Sequence, residues 1–144
     1  MTSTSFDLTR FVDAQAVVYP EVVAQLRAGR KSSHWMWFIF PQLAALGRSS
    51  TARFYGLVDA SHAVAYGTHP GLGPRLKECS ALVAANRTRT AQQIFGSPDD
   101  LKLCSCMTLF DAAMPDESVF AEVLDRFFAG KRDDLTLARL HGTP

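Results

Sequence analysis

Residues 99–114 restrict this chain more than any other stretch. Leu103, Met107, Phe110 and Met114 fall at helical spacing on one side. Leu101, Thr108 and Ala112 fall on another, with Cys104 beside them. A helix that is apolar nearly all round is stable only when other elements cover it. Its start is marked by Ser97 as cap, Pro98 in the first turn, and Asp99 and Asp100 at the positive end of the helix dipole. Pro115 ends it. The remainder of the chain must therefore supply a shell.

That shell reads as further helices. Asp7 is placed to cap a first helix with Leu8, Phe11, Val12 and Gln15 on one face. Pro20 suits the first turn of another helix, with Val22, Val23 and Leu26 inside and Gly29 closing it. Ser49 or Ser50 caps a short helix carrying Phe54 and Tyr55, and Asp59 caps one ending near Gly67. Leu72, Leu76, Cys79 and Val83 form a sustained helical stripe. Thr90 caps Ala91–Phe95. Asp116 caps an amphipathic helix with Val119, Phe120, Val123, Leu124, Phe127 and Phe128 inward and Gly130 at its end. Asp133 or Asp134 starts a last turn through Leu135, Leu137 and Leu140. The only strand candidate is Trp35 to Phe40, too short for periodicity to assign. The expected fold is all-α: a compact single-domain bundle of about seven to eight short helices around a buried central helix over residues 98–114. One globular domain is expected over residues 1–144, with residues 1–5 as a tail.

Composition agrees with a folded chain. Its 144 residues are 47% hydrophobic and 20% charged, which excludes a disordered polymer and allows a core without staples. Cys79, Cys104 and Cys106 are odd in number and lack redox or zinc spacing, so they read as free thiols packed as small hydrophobes. Met1–Phe6 has no apolar h-region and no apolar run is long enough to span a bilayer, so the expected compartment is the cytoplasm, with no membrane partner. The net charge is +1, which excludes a bulk electrostatic coat for nucleic acid. It hides a division, however. Residues 1–96 hold ten Lys or Arg against five Asp or Glu, and residues 97–144 hold five against nine. No basic run exceeds Arg30-Lys31, and dispersed cations argue against nucleic acid as a partner.

The segment from Gly29 to Gln42 is densest in chemistry and contains both tryptophans. Read as a helix, His34, Trp37, Phe38 and Gln42 share a face. An imidazole, an indole and an amide on one face can read a planar ligand, with Arg30 and Lys31 for its phosphate or carboxylate. The competing reading is that the indoles are core. Asp99 and Lys102, three apart at a helix start, can meet and add a second charged pair. Ser105 and Thr108 read as hydroxyls bonded one turn back. Tyr55 and Arg75 are auxiliary candidates. There is no phosphate loop, no dinucleotide fingerprint, no metal spacing and no nucleophile elbow, so neither a metal nor a cofactor is expected.

The expected function is binding, with turnover as an extension, of an anionic nucleotide-like small molecule in a pocket between residues 30–42 and 97–108. His34 would be the acid or base. Arg30, Lys31, Trp35, Trp37, Gln42, Tyr55, Arg75, Asp99 and Lys102 would bind the ligand. The alternative is a non-enzymatic interaction module or a self-associating, homo-oligomeric domain.

Phe6-Asp7-Leu8 with Arg10-Phe11-Val12 and Ala14-Gln15; Gly29-Arg30-Lys31 with Ser33 through Gln42; Leu46-Gly47-Arg48-Ser49; Tyr55; Leu72-Gly73-Pro74-Arg75-Leu76; Ile94-Phe95-Gly96; and Asp99 through Lys102 with Ser105 and Met107 through Phe110 together resemble a bacterial family of unknown function, DUF1810. The resemblance runs over roughly residues 6 to 140 and implies a small all-helical fold with no established activity. Cys104-Ser105-Cys106 departs from the family's usual Arg-Ser-Ser, which puts in doubt any role needing polar groups at the two cysteine positions.

Overall fold

The computed structural model of the chain describes residues 6–141; the expected tail over residues 1–5 lies outside them. Among the described residues there are nine α-helices, slightly more than the sequence pattern suggested: α1 (Thr9–Ala28), α2 (Met36–Ile39), α3 (Ser50–Phe54), α4 (Ala60–Thr68), α5 (Leu72–Ala85), α6 (Ala91–Phe95), α7 (Asp99–Ala113), α8 (Val119–Phe128) and α9 (Asp134–Leu140). A single 3-10 turn covers Ala44–Leu46. Among the same residues the only β pairing is an isolated parallel bridge between Leu43 and Leu57. No helix there is long and apolar enough to cross a membrane.

The central helix is α7. It packs on α4, α6, α8 and α9, and Leu103, Cys106, Met107, Leu109 and Phe110 are fully buried. Its hydroxyls do more than bond one turn back. Ser105 Oγ donates to Leu101 O and to Asp133 Oδ2, and Thr108 Oγ1 accepts from Asp133 N at 2.9 Å. Asp133 also caps α9 by accepting from Thr136 N. One aspartate thus ties the last helix to the middle of the core. On the outer side, α5 packs on α1, α4 and α8. The α4–α5 approach is close: a Cβ on Gly73 would lie 2.2 Å from the Gly67 carbonyl oxygen.

Most expected caps are present. Ser49, Asp59, Thr90 and Asp133 each accept from a backbone N–H in the first turn of their helices, and Thr90 forms a capping box with Gln93. Four details differ. Pro20 does not begin a helix but lies inside α1, a single helix of 20 residues. Pro20 and Ala16, whose carbonyl loses its partner, are both exposed, so water replaces the missing bond. The Trp35–Phe40 run contains a short helix rather than a strand. Ser97 gives α7 no side-chain cap; backbone carbonyls of Gly96 and Pro98 accept from Asp100, Leu101 and Lys102 instead. Asp116 does not cap α8, which begins three residues later, at Val119 after Ser118.

A buried histidine gives the fold a pH dependence. His62 is buried on α4, its Nδ1 accepts from Val58 N at 3.0 Å, and the Phe6 ring stacks on it at 4.3 Å. Burial, and then the Arg10 guanidinium, hold its pKa below the ordinary value of 6.5, while Asp59 opposes them weakly. A folded-state pKa below the unfolded one means that the unfolded chain takes up the proton first. Stability is therefore complete above 6.5 and lost as pH falls through and below that value. Thermal melts from neutral pH to about 5.5 are expected to show Tm falling by a few degrees. His62→Asn, which keeps an acceptor for Val58 N, is expected to flatten that slope. An unchanged slope in the variant would assign the acid sensitivity to other groups.

Candidate functional site

Three backbone decisions place the site. Gly29 ends α1 in the left-handed region, at φ 75°, with its N–H on Leu26 O. The chain then turns so that Lys31 N donates to Ile94 O at 2.7 Å, tying it to α6. Gln25, on the last turns of α1, reaches across this bend. Its Oε1 accepts from Ser32 N at 2.9 Å and from Trp35 Nε1 at 2.8 Å, and its Nε2 donates to Ser33 Oγ at 2.8 Å. The bend is thereby fixed by one amide.

The two tryptophans part company at this point. Trp35 is 1% exposed, edge-on to Phe95 and tilted against Phe40. It is core, and the sequence expectation that it contacts a ligand is corrected: its ring has no free face and its N–H is taken. Trp37 is half-buried at the surface. The Lys102 ammonium lies 5.7 Å from its ring centroid, a cation–π arrangement.

A charged cluster joins the two halves of the expected site. Asp99, in the first turn of α7, meets Lys31 at 3.0 Å and Lys102 at 3.6 Å. The Lys31 side chain is only 8% exposed and its ammonium also sits 5.3 Å from the Trp35 ring. One carboxylate is thus shared by two cations, each on a tryptophan. Beside it, Trp37, Gln42, Tyr55 and Lys102, with Met36 and Phe40, line a cavity of about 10 Å³. That is space for one water. The residue 30–42 and 97–108 segments do meet, then, but as closely packed walls.

The other candidates are placed as follows. Tyr55 lies against Phe38, Phe11 and Phe54, with ring centroids 5.3, 5.9 and 4.8 Å away. His34 is exposed, 6.5 Å from Trp37 by ring centroids, and among the described residues no side-chain hydrogen bond orients it. An acid or base needs a fixed proton geometry, and His34 lacks the partner that would fix it. Arg30 is exposed, pointing no bond at this cluster. Arg75 lies elsewhere, over the Tyr19 ring at 4.7 Å and 3.5 Å from Gln15 Oε1. It is separated from the cleft by Gln15, whose Nε2 donates to Phe38 O at 2.7 Å and to Tyr66 Oη at 2.9 Å. Gln15 and Tyr66 together hold the α2 carbonyl that sits next to Trp37. The sequence did signal Gln15, as a polar residue on an apolar stripe; nothing marked Gln25.

The thiols are held protonated. Burial raises the pKa of all three, Cys79 to about 12 and Cys106 well above the usual thiol range, so none is a thiolate at neutral pH. Among the described residues no three His, Cys, Asp or Glu side chains converge as a metal site.

Residues 5–140 match a family described as "Protein of unknown function (DUF1810)". The fold is similar to the crystal structure of the conserved hypothetical protein Rv1873 from Mycobacterium tuberculosis. That similarity carries 52% sequence identity and a TM-score of 0.93, over 94% of this chain and 97% of the other. No curated protein matches.

Proposed function

This chain belongs to the DUF1810 family of proteins of unknown function, and on that premise we propose that it binds a planar, anionic, nucleotide-like small molecule between the residue 30–42 and 97–108 segments, without turnover. The observation that carries the reading is Lys102 held over the face of the half-exposed Trp37, next to Gln42 and Tyr55. An indole face, an ammonium and a free amide are the parts a base and its phosphate need: stacking, charge and one directional hydrogen bond. The cavity behind Trp37 has room for only a water, so the ligand stacks on the outer rim and Tyr55 or Trp37 shifts to admit it. Turnover is left out because His34 has no orienting partner. The free cysteines fit a reducing compartment, and the cytoplasm is the compartment we assign.

Thermal-shift and calorimetric titration with AMP and ADP-ribose test the reading. The expected result is a rise in Tm that saturates, with affinity reduced about tenfold in Lys102→Ala by loss of a charge-assisted contact. Neither compound raising Tm, or equal affinity in the variant, would refute it.

A second reading has its own observation. Phe54, 58% exposed, packs edge-on against Tyr55, so an exposed apolar ring adjoins a residue of the cleft, and Leu101, 61% exposed, adds a second exposed apolar side chain on α7. A self-association face would use them. Light scattering giving a dimer that Phe54→Asp dissolves would favour it.

A further inference from the structure

Acidic residues are absent from residues 22–58 and again from residues 79–98, while these stretches hold Arg27, Arg30, Lys31, Arg48, Arg53, Arg87 and Arg89. The fold brings parts of the two stretches together. Besides the Lys31–Ile94 hydrogen bond, the loop after α5 packs onto Gly29: a Cβ there would lie 2.6 Å from Asn86 Nδ2 and 3.2 Å from Arg89 Cδ. Asn86 Oδ1 accepts from Thr88 N and Arg89 N, both at 3.1 Å, so the loop carrying Arg87 and Arg89 is held in place. Arg27, Arg30, Arg87 and Arg89 are all exposed. Among the described residues none of the four forms a salt bridge; the carboxylates that pair are Asp99, Asp111 and Glu117, with other cations. The negative end of α1 accounts for Arg27. It does not account for Arg89, brought against Gly29 by a distant loop that also carries the exposed Arg87. Like charges gathered without a carboxylate repel, and an anion held in common offsets the repulsion.

We propose that this surface docks single-stranded nucleic acid, with Arg27, Arg30, Arg87 and Arg89 taking backbone phosphates. Guanidinium forks match phosphate oxygens bidentately. Lipid is disfavoured because the large exposed hydrophobics (Val17, Phe54, Val58, Val64, Leu101 and Leu135) all lie outside residues 22–35 and 84–98. A single strand is favoured over a duplex because the patch leads to an aromatic ring. Lys102, 26% exposed, lies over the half-buried Trp37 on the segment that Arg30 begins, while the enclosed Lys31 is taken up by Asp99. A cation beside a stacking face is how unpaired bases are held. This goes beyond small-molecule binding at the cleft: the phosphate contacts stand on the arginines, and only the preference for a single strand shares Trp37 and Lys102 with that reading.

Fluorescence anisotropy with a labelled single-stranded RNA of about 12 nucleotides tests it. Expected is binding that weakens with salt at a log–log slope of about −3, the value for four neutralised phosphates. The double variant Arg87→Glu, Arg89→Glu is expected to lose tenfold or more and about half the slope, with Tm unchanged. Arg126→Glu, a reversal on α8, is expected to bind as wild type. Absence of binding at low salt, or unchanged affinity in the double variant, overturns the proposal. So does equal or tighter binding of polyglutamate, of phosphatidylserine vesicles or of the matching duplex. AMP titration of the double variant separates the two readings, since the cleft reading expects it unaltered.

Discussion

Trp35→Ala is expected to cost about 3–5 kcal/mol of stability, whereas Trp37→Ala costs less than half of that. Trp35 is enclosed by Phe40 and Phe95, so truncation leaves a cavity that helices α2 and α6 can close only in part. It also removes the indole donor from Gln25 Oε1, leaving the bend held by the Gln25 bonds to Ser32 N and Ser33 Oγ. A domain of this size has about 5–15 kcal/mol in total, so the variant is expected to be close to unfolding at 37 °C. Trp37 is only partly buried against the core, so its loss removes less packing. Urea unfolding of both variants checks this. Equal destabilisation would mean that Trp37 is as much a core residue as Trp35 and would leave the cleft without a stacking surface.

Asp99→Ala is expected to cost about 2–3 kcal/mol, and through a different cause. The Lys31 ammonium, nearly enclosed, loses the one carboxylate that neutralises it. Breaking a fully buried pair by deleting one partner typically costs about 3–5 kcal/mol; Asp99 keeps some solvent, which places this case just below that range. If the penalty is an uncompensated charge, removing the charge relieves it. The double variant Lys31→Met, Asp99→Ala is therefore expected to be more stable than Asp99→Ala alone. Additive losses in the double variant would show that Asp99 acts on the α7 dipole and not by neutralising Lys31.

The sequence disclosed local features better than meetings between distant segments. Ser49, Asp59, Thr90 and Asp133 announce their helices because a cap acts on N–H groups two or three residues away. The stripe of α5 and the all-round apolarity of α7 are equally local. Pro20 misled because a proline's cost depends on whether water reaches the freed carbonyl, a tertiary fact. Trp35 and Trp37 are two apart on a short turn, and nothing in their order tells which one the core takes; the answer comes from Gln25. Asp99 and Lys102 were legible as a helical pair, but Lys31 joins them from 68 residues away in sequence, through the bend after Gly29. Arg27, Arg30, Arg87 and Arg89 look dispersed along the chain, and that dispersion argued against a nucleic-acid partner. Only the packing of the α5–α6 loop on Gly29 gathers them.

The two tryptophans offer a direct measurement of the central claim, that the cleft beside Trp37 receives a nucleotide-like anion. Each indole gives one nitrogen-15 resonance, and the one in the core serves as an internal control. On titration with AMP, the Trp37 resonance is expected to move and saturate while the Trp35 resonance, hydrogen-bonded to Gln25 and buried, stays in place. Two still resonances at saturating AMP, or movement of Trp35 with Trp37 unmoved, would contradict it.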